Sequence, residues 1–172
     1  LWLERLGARV TGYSLAPPTT PNLFTLARVG DALAHIEGDV RDAPRLADTL
    51  AAHQPEVVFH LAAAALVREP YDAPLETFET NVMGTLTVLD AIRRSGLSCA
   101  VVVVSTDKCY ENREWDYAYR ENDAMGGHDP YSASKGAMEI ALAAMRRSYF
   151  ESPGATARVR VASARAGNVI GG

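Results

Sequence analysis

Short β-branched runs and longer segments of helical period alternate along the chain. Arg9 to Ser14, Glu56 to Leu61, Ala100 to Ser105 and Arg158 to Ala164 read as strands, with a weaker one over Ala34 to Gly38. This alternation is the signature of βαβ units around a parallel sheet. The blocks VVFHL (57–61) and VVVV (101–104) are continuous rather than alternating, as expected of central strands covered by helices on both faces. The clearest helical stripe joins Leu75, Phe78, Val82, Leu86, Leu89 and Ile92 within 72–95, and Gly96 stands where a C-terminal cap belongs. A second helix begins at Asp129-Pro130, an N-cap residue followed by a favoured first-turn proline. It is predicted to run to about Phe150 and to turn Met138, Leu142, Met145 and Tyr149 inward. Leu1 to Leu6 read as the last turns of an amphipathic helix stopped by Gly7, and 14–22 and 106–128 as loops.

Composition narrows the possibilities. A chain of 172 residues with 48% hydrophobic content supplies one ordinary core and is too short for two. It reads as one domain over 1–172, incomplete at both ends, because it opens in mid-helix without Met and closes on RAGNVIGG. The net charge of -4, with no sustained basic face, points to small molecules or protein as partners, not nucleic acid or an anionic membrane. Cys99 and Cys109 form no CxxC pair and lack a nearby His ligand set, so neither a disulfide framework nor a metal site is expected and a reducing cytoplasm fits. No apolar run approaches the ~20 residues that span a bilayer.

The candidate chemistry begins where VVVV ends, with Ser105, Thr106, Asp107 and Lys108 in succession. Open parallel sheets bind ligands outside the carboxyl ends of their strands, which is where these groups fall. YSASKG (131–136) then places Tyr131 and Lys135 four apart, on one face of a helix. An ammonium beside a phenol favours phenolate, so the pKa of Tyr131 is expected to fall below its ordinary value, making it a general base or acid.

With these blocks in place, the chain resembles the extended short-chain dehydrogenase/reductases, a Rossmann-fold family. The likeness runs through GDVRD (38–42), HLAA (60–63), TNVMGT (80–85) and RAGNVIGG (165–172). It implies a Rossmann-like, doubly wound parallel α/β sheet and a catalytic set of Thr106, Tyr131 and Lys135. GYSLAPPTTPNLF (12–24), STDKCYENREW (105–115) and ENDAMGGHDPYSASKGA (121–137) are more specifically similar to the CDP-glucose 4,6-dehydratase branch, which carries Asp-Lys where the dTDP-sugar branch has Asp-Glu. The resemblance implies that Tyr131 takes the proton of the sugar's 4-hydroxyl while hydride passes to NAD. Thr106 would hydrogen-bond that oxygen, and Asp107 would protonate the leaving 6-hydroxyl. Lys108 would act as base or as a water-orienting group, the former requiring a neutral amine through desolvation or the charge of Lys135.

Cofactor contacts carry over to Asp39 and Val40 at the adenine, to Leu61, Ala62 and Ala63 where the strand end passes under the cofactor, and to Tyr131 and Lys135. Ser14 stands where an acidic residue often reads the ribose, leaving NADP open beside NAD. Asn168 matches a residue near the sugar nucleotide's diphosphate, Asn81 a structural position of the central helix, and His60 reads as a packed strand residue. The glycine-rich phosphate loop is not among these residues, so the piece as given is expected to bind NAD poorly. Ala64-Ala65 departs from the Gln-Pro usual in this branch. A homodimer through the helices at 72–95 and 130–150 is also implied. An epimerase or reductase of the same superfamily and a non-catalytic cofactor sensor or scaffold are the other readings: Asp107 and Lys108 beside the Tyr-Lys pair separate a dehydratase from the first, and Thr106, Tyr131 and Lys135 together argue against the second.

Overall fold

The computed structural model describes residues 1–65, 69–152 and 159–169. Among the described residues five strands form two parallel sheets. β1 (Thr11–Ser14) pairs with β2 (Ala34–Glu37), with Thr11 opposite Ala34. β3 (Val57–His60), β4 (Ala100–Thr106) and β5 (Arg160–Ala166) lie in that order, β4 in the middle, with Val101 facing Val58 on one side and Val161 on the other. The predicted strands correspond to these within two residues at each end. Arg158, where the last was expected to start, and Ile170, Gly171 and Gly172 lie outside the described residues.

The helices are α1 (Trp2–Arg5), α2 (Leu23–Leu26), α3 (Val29–Ala32), α4 (Ala43–His53), α5 (Glu69–Asp72), α6 (Pro74–Phe78), α7 (Thr85–Ser95) and α8 (Pro130–Met145). Their ends follow local chemistry. The Asp42 carboxylate accepts from the Arg45 amide at 3.1 Å to start α4, and the Asp129 carboxylate accepts from the Ser132 amide at 2.9 Å to start α8. Gly96 ends α7 at φ 72°, a left-handed conformation that glycine adopts without a Cβ penalty. Among the described residues no helix is long and apolar enough to cross a membrane.

Two π-turns correct the predicted faces. Glu79–Gly84 joins α6 to α7, and Arg146–Phe150 continues α8. A π-turn closes i→i+5 bonds and holds one residue more than an α-turn, so the inward stripe changes phase as it passes through. Leu89 and Ile92 are fully buried as predicted, but upstream of the turn Leu75 is 78% exposed and Phe78 faces out, with Thr77 buried in its place. In the same way Tyr149, expected inward, is exposed under the guanidinium of Arg93, and Phe150 turns into the core at 4% exposure. The core gathers Leu46 and Leu50 of α4, Val88, Leu89 and Ile92 of α7, Val101 and Val103 of β4, Met138 and Leu142 of α8, and Val161 of β5. Full burial of Leu89 or Ile92 contributes roughly 1.5–3 kcal/mol.

Candidate active site

The polar step that follows the valines sits at the carboxyl end of the middle strand. Thr106 closes β4 and caps a single 3₁₀ turn over Asp107–Cys109: its hydroxyl donates to the Asp107 carboxylate at 3.1 Å and accepts from the Lys108 amide at 3.3 Å. Thr106 is buried, whereas Asp107 and Lys108 stand exposed at the rim. The Lys108 ammonium lies 3.9 Å from the Asp107 carboxylate and donates to the side-chain oxygen of Asn168 at 3.4 Å. Lys108 thus meets Asp107 and Asn168 at the rim, while Lys135 lies buried in α8. Asp107 and Lys108 open onto a cavity of about 420 Å³, walled by Tyr110, Asn112 and Tyr119 of the following loop and by His128, Asp129 and Ser132 at the start of α8.

Tyr131 and Lys135 face into the molecule from the first two turns of α8, both buried. The expectation that the phenol's pKa falls is not met in this state. Burial raises it and outweighs the Thr106 hydroxyl beside it, which lowers it, while the Asp107 and Asp129 carboxylates add to the rise. The same burial disfavours the charge on Lys135 and pulls its pKa down, against the Glu139 carboxylate one turn further on.

His60 ends β3 as the packed strand residue the sequence suggests. The Thr85 hydroxyl donates to the Asn81 carbonyl at 2.7 Å, so its oxygen is left to accept from His60 Nε2–H at 2.9 Å, which assigns the tautomer. Burial, with a smaller push from the charge of Lys135, holds the imidazole pKa down to about 4. A histidine neutral when folded and free to protonate when unfolded stabilises the protein fully above its ordinary pKa of about 6.5 and progressively less as pH falls toward 4. Stability is therefore expected to drop by about 2 kcal/mol from about pH 7 to about pH 5, with a His60→Gln variant showing a flatter dependence in urea titrations.

Asn81 ties the strand end to α8. Its side chain accepts from the Ala64 amide at 2.9 Å, and donates to the Ala64 carbonyl at 3.3 Å and to the Ser134 hydroxyl at 2.8 Å. Ser134 in turn donates to the Tyr131 carbonyl at 2.7 Å. The segment after β3 is thereby fixed against the turn of α8 that presents Tyr131. There Leu61 is exposed, and Ala62 and Ala63 are half-buried. Gly127 lets the preceding loop approach: a Cβ there would stand 2.6 Å from the Ser132 carbonyl carbon and 2.7 Å from the Ala133 nitrogen.

The remaining predicted positions lie further along the strand ends. Asp39 does not present a free carboxylate: Arg41 donates to it from its amide at 2.8 Å and from its guanidinium at 2.6 Å, which lowers the carboxyl pKa. Its carbonyl accepts from the Tyr13 hydroxyl at 2.9 Å. Val40 is a core residue in contact range of Gly84, and Ser14, exposed at the end of β1, lies 3.0 Å from His35 Nε2.

Three side chains without a predicted role belong to the same region. Glu139 is buried on α8, Arg165 reaches it from β5 at 3.1 Å, and Arg165 also donates to the Tyr110 hydroxyl at 2.8 Å. A signal for them existed: Glu139 follows Lys135 by four on a mostly apolar helix, and Arg165 continues the inward alternation of Val161 and Ser163.

Parallel strands with a Thr-Asp-Lys turn at the end of β4, facing a Tyr-x-x-x-Lys helix, place the chain in the Rossmann-like class of α/β proteins. The sequence profile described as GDP-mannose 4,6 dehydratase matches residues 13–160, and the chain belongs to that family. Among individual proteins, the chain is 49% identical over its whole length to the CDP-glucose 4,6-dehydratase of Salmonella typhimurium, covering 48% of that protein. The chain thus spans about half the length of the curated relatives it matches. Among solved structures, the dTDP-glucose 4,6-dehydratase DesIV of Streptomyces venezuelae, with NAD and TYD bound, is similar at a TM-score of 0.75 and 29% identity, over 90% of this chain and 45% of that one. A UDP-glucose 4-epimerase from Brucella ovis in complex with NAD aligns at a TM-score of 0.78 and 26% identity, over 95% of this chain and 46% of that one.

Proposed function

We propose that this chain performs the chemistry of a CDP-glucose 4,6-dehydratase, converting CDP-glucose to CDP-4-keto-6-deoxyglucose. The observation that supports it best is the placing of Asp107 and Lys108 on one turn at the rim of the cavity, directly after Thr106 and opposite the helix of Tyr131 and Lys135. Exposed Leu61 with small Ala62 and Ala63 beside the Asn81 clamp leaves a low surface at the end of β3 that suits the flat rings of NAD. In this reading Asp39 and Val40 lie toward the adenine and Ser14 toward its ribose. NAD, when bound, supplies the acceptor and later the donor of one hydride.

Tyr131 as phenolate takes the proton of the 4-hydroxyl, and Thr106 holds that oxygen by a hydrogen bond. Lys135 supplies the positive charge that favours the phenolate. The 4-ketone acidifies the proton on the fifth carbon. Asp107 gives its proton to the 6-hydroxyl, so the carbon–oxygen bond breaks with loss of water as the C5 proton passes to the Lys108 amine, directly or through a water that it orients. Lys108, paired with Asp107 and Asn168, orients that exchange at the rim, and Asn168 faces the diphosphate side. The test is incubation of the full-length protein with NAD and, separately, CDP-glucose and dTDP-glucose, following loss of water by mass spectrometry. Dehydration of CDP-glucose alone is expected; dehydration of neither sinks the reading.

A cytoplasmic homodimer belongs to the same proposal. Exposed Leu75 and Phe78 of α6, Met83 of the π-turn, Ile140 of α8 and Tyr149 beyond it supply apolar surface along the two helices. A monomer in sedimentation at micromolar concentration counts against it.

A further inference from the structure

Toward their carboxyl ends, β4 and β5 change character on the face that meets α8. Val101 and Val103 give way to Ser105, and opposite them Val161 gives way to Ser163 and Arg165. This polar cell receives Glu139, 4% exposed, whose Oε2 accepts from Arg165 at 3.1 Å and from the Ser163 hydroxyl at 3.0 Å. The other branch of the guanidinium leaves the cell. Arg165 Nη1 donates to the Tyr110 hydroxyl at 2.8 Å and to the Glu121 carbonyl at 3.0 Å, with the guanidinium centred 5.0 Å over the Tyr110 ring.

Those two contacts fall on opposite arms of the loop that follows Asp107 and Lys108. The arms are joined to each other by Glu111 N to the Ala124 carbonyl at 2.9 Å and Gly126 N to the Cys109 carbonyl at 3.0 Å. The turn that carries Asp107 and Lys108 is therefore held at one end by β4 and at the other by a tyrosine pinned from β5. Stability alone is a weak account of this arrangement. Among the described residues Arg165 Nε is buried without a hydrogen-bond partner, and a buried ion pair left incompletely satisfied is commonly matched or exceeded by apolar packing.

We propose that Arg165, anchored by Glu139, is a positioning residue that sets the Asp107–Lys108 turn and its loop against the catalytic helix for the water-elimination step. The proposal rests on the dehydratase reading. It separates the two halves of that reaction: oxidation at the fourth carbon uses Thr106 and Tyr131, on β4 and α8, whereas elimination uses the turn that Arg165 holds.

The test compares the full-length protein with Arg165→Lys and Tyr110→Phe in single-turnover mixing with CDP-glucose and NAD, reading the absorbance of reduced nicotinamide and the release of water separately. Arg165→Lys keeps a charge for Glu139 but cannot span to the loop, and is expected to slow elimination ~10–100-fold with oxidation within about threefold. Tyr110→Phe removes one hydroxyl and leaves the ring, so it remains foldable, and is expected to slow elimination alone ~3–10-fold. Amide hydrogen exchange across residues 109–126 is expected to quicken in both variants while that of α8 stays unchanged. Equal slowing of both steps, or unchanged exchange in 109–126, overturns the proposal. A wild-type protein that eliminates no water removes the dehydratase reading itself, and is recognised before any variant is made.

Discussion

Replacing Tyr131 with Phe is expected to lower turnover about 10³-fold with the fold intact, since only a buried hydroxyl is lost and general acid–base catalysis commonly contributes 10²–10⁴-fold. Steady-state kinetics on the purified full-length variant, with circular dichroism to confirm the fold, checks it; retention of more than about a tenth of the activity would falsify the proton-transfer role. The raised pKa of the phenol adds a second measurable consequence. In the cofactor-free protein Tyr131 is expected to ionise only on the alkaline side of the ordinary tyrosine value, because burial acts on both the phenolate and the Lys135 ammonium that should favour it. A second positive charge nearby is needed to complete the effect. Oxidised NAD brings one in its nicotinamide ring, so ultraviolet difference titration is expected to show the phenol's pKa falling when NAD is added.

Asp107→Asn is expected to have the next largest effect, and a different one. The amide keeps the side chain's shape at the rim and can still receive the Thr106 hydroxyl, but its N–H protons are not acidic enough to pass to a leaving hydroxyl. Elimination is expected to slow roughly 10²–10³-fold while oxidation of the sugar continues, so that keto sugar and reduced nicotinamide accumulate together. Rapid-quench analysis distinguishes this from simple inactivity. Unchanged overall turnover would favour the epimerase or reductase reading, in which no water leaves and Asp107 has no proton to deliver.

Much of the placement of these groups is legible in the chain because its signals are local. Four valines followed by Ser-Thr-Asp-Lys mark a buried strand delivering polar groups at its carboxyl end, and Asp129-Pro130 fixes where α8 starts and which face Tyr131 and Lys135 share. What escaped was non-local or depended on phase. A π-turn has no strong composition, so the faces of Leu75, Phe78 and Tyr149 were assigned from an uninterrupted α-helical period. Arg165 and Glu139 are 26 residues apart and meet only because β5 packs beside α8. The direction of the Tyr131 pKa is not legible in the sequence, because a pairwise attraction shows in the spacing of two residues, whereas the burial opposing it arises only when the surrounding elements close over them.

The π-turn at Glu79–Gly84 also determines how this region tolerates change in length. Removing one residue from it between Asn81 and α7 would restore α-helical phase and turn everything upstream, Asn81 included, by about 100° about the axis relative to α7. Asn81 could not then reach both Ala64 and Ser134, and the link between the end of β3 and the catalytic helix would break. For this stretch the number of residues is as strict a constraint as their identity: a substitution can be absorbed locally, but a one-codon deletion would be felt across the active site.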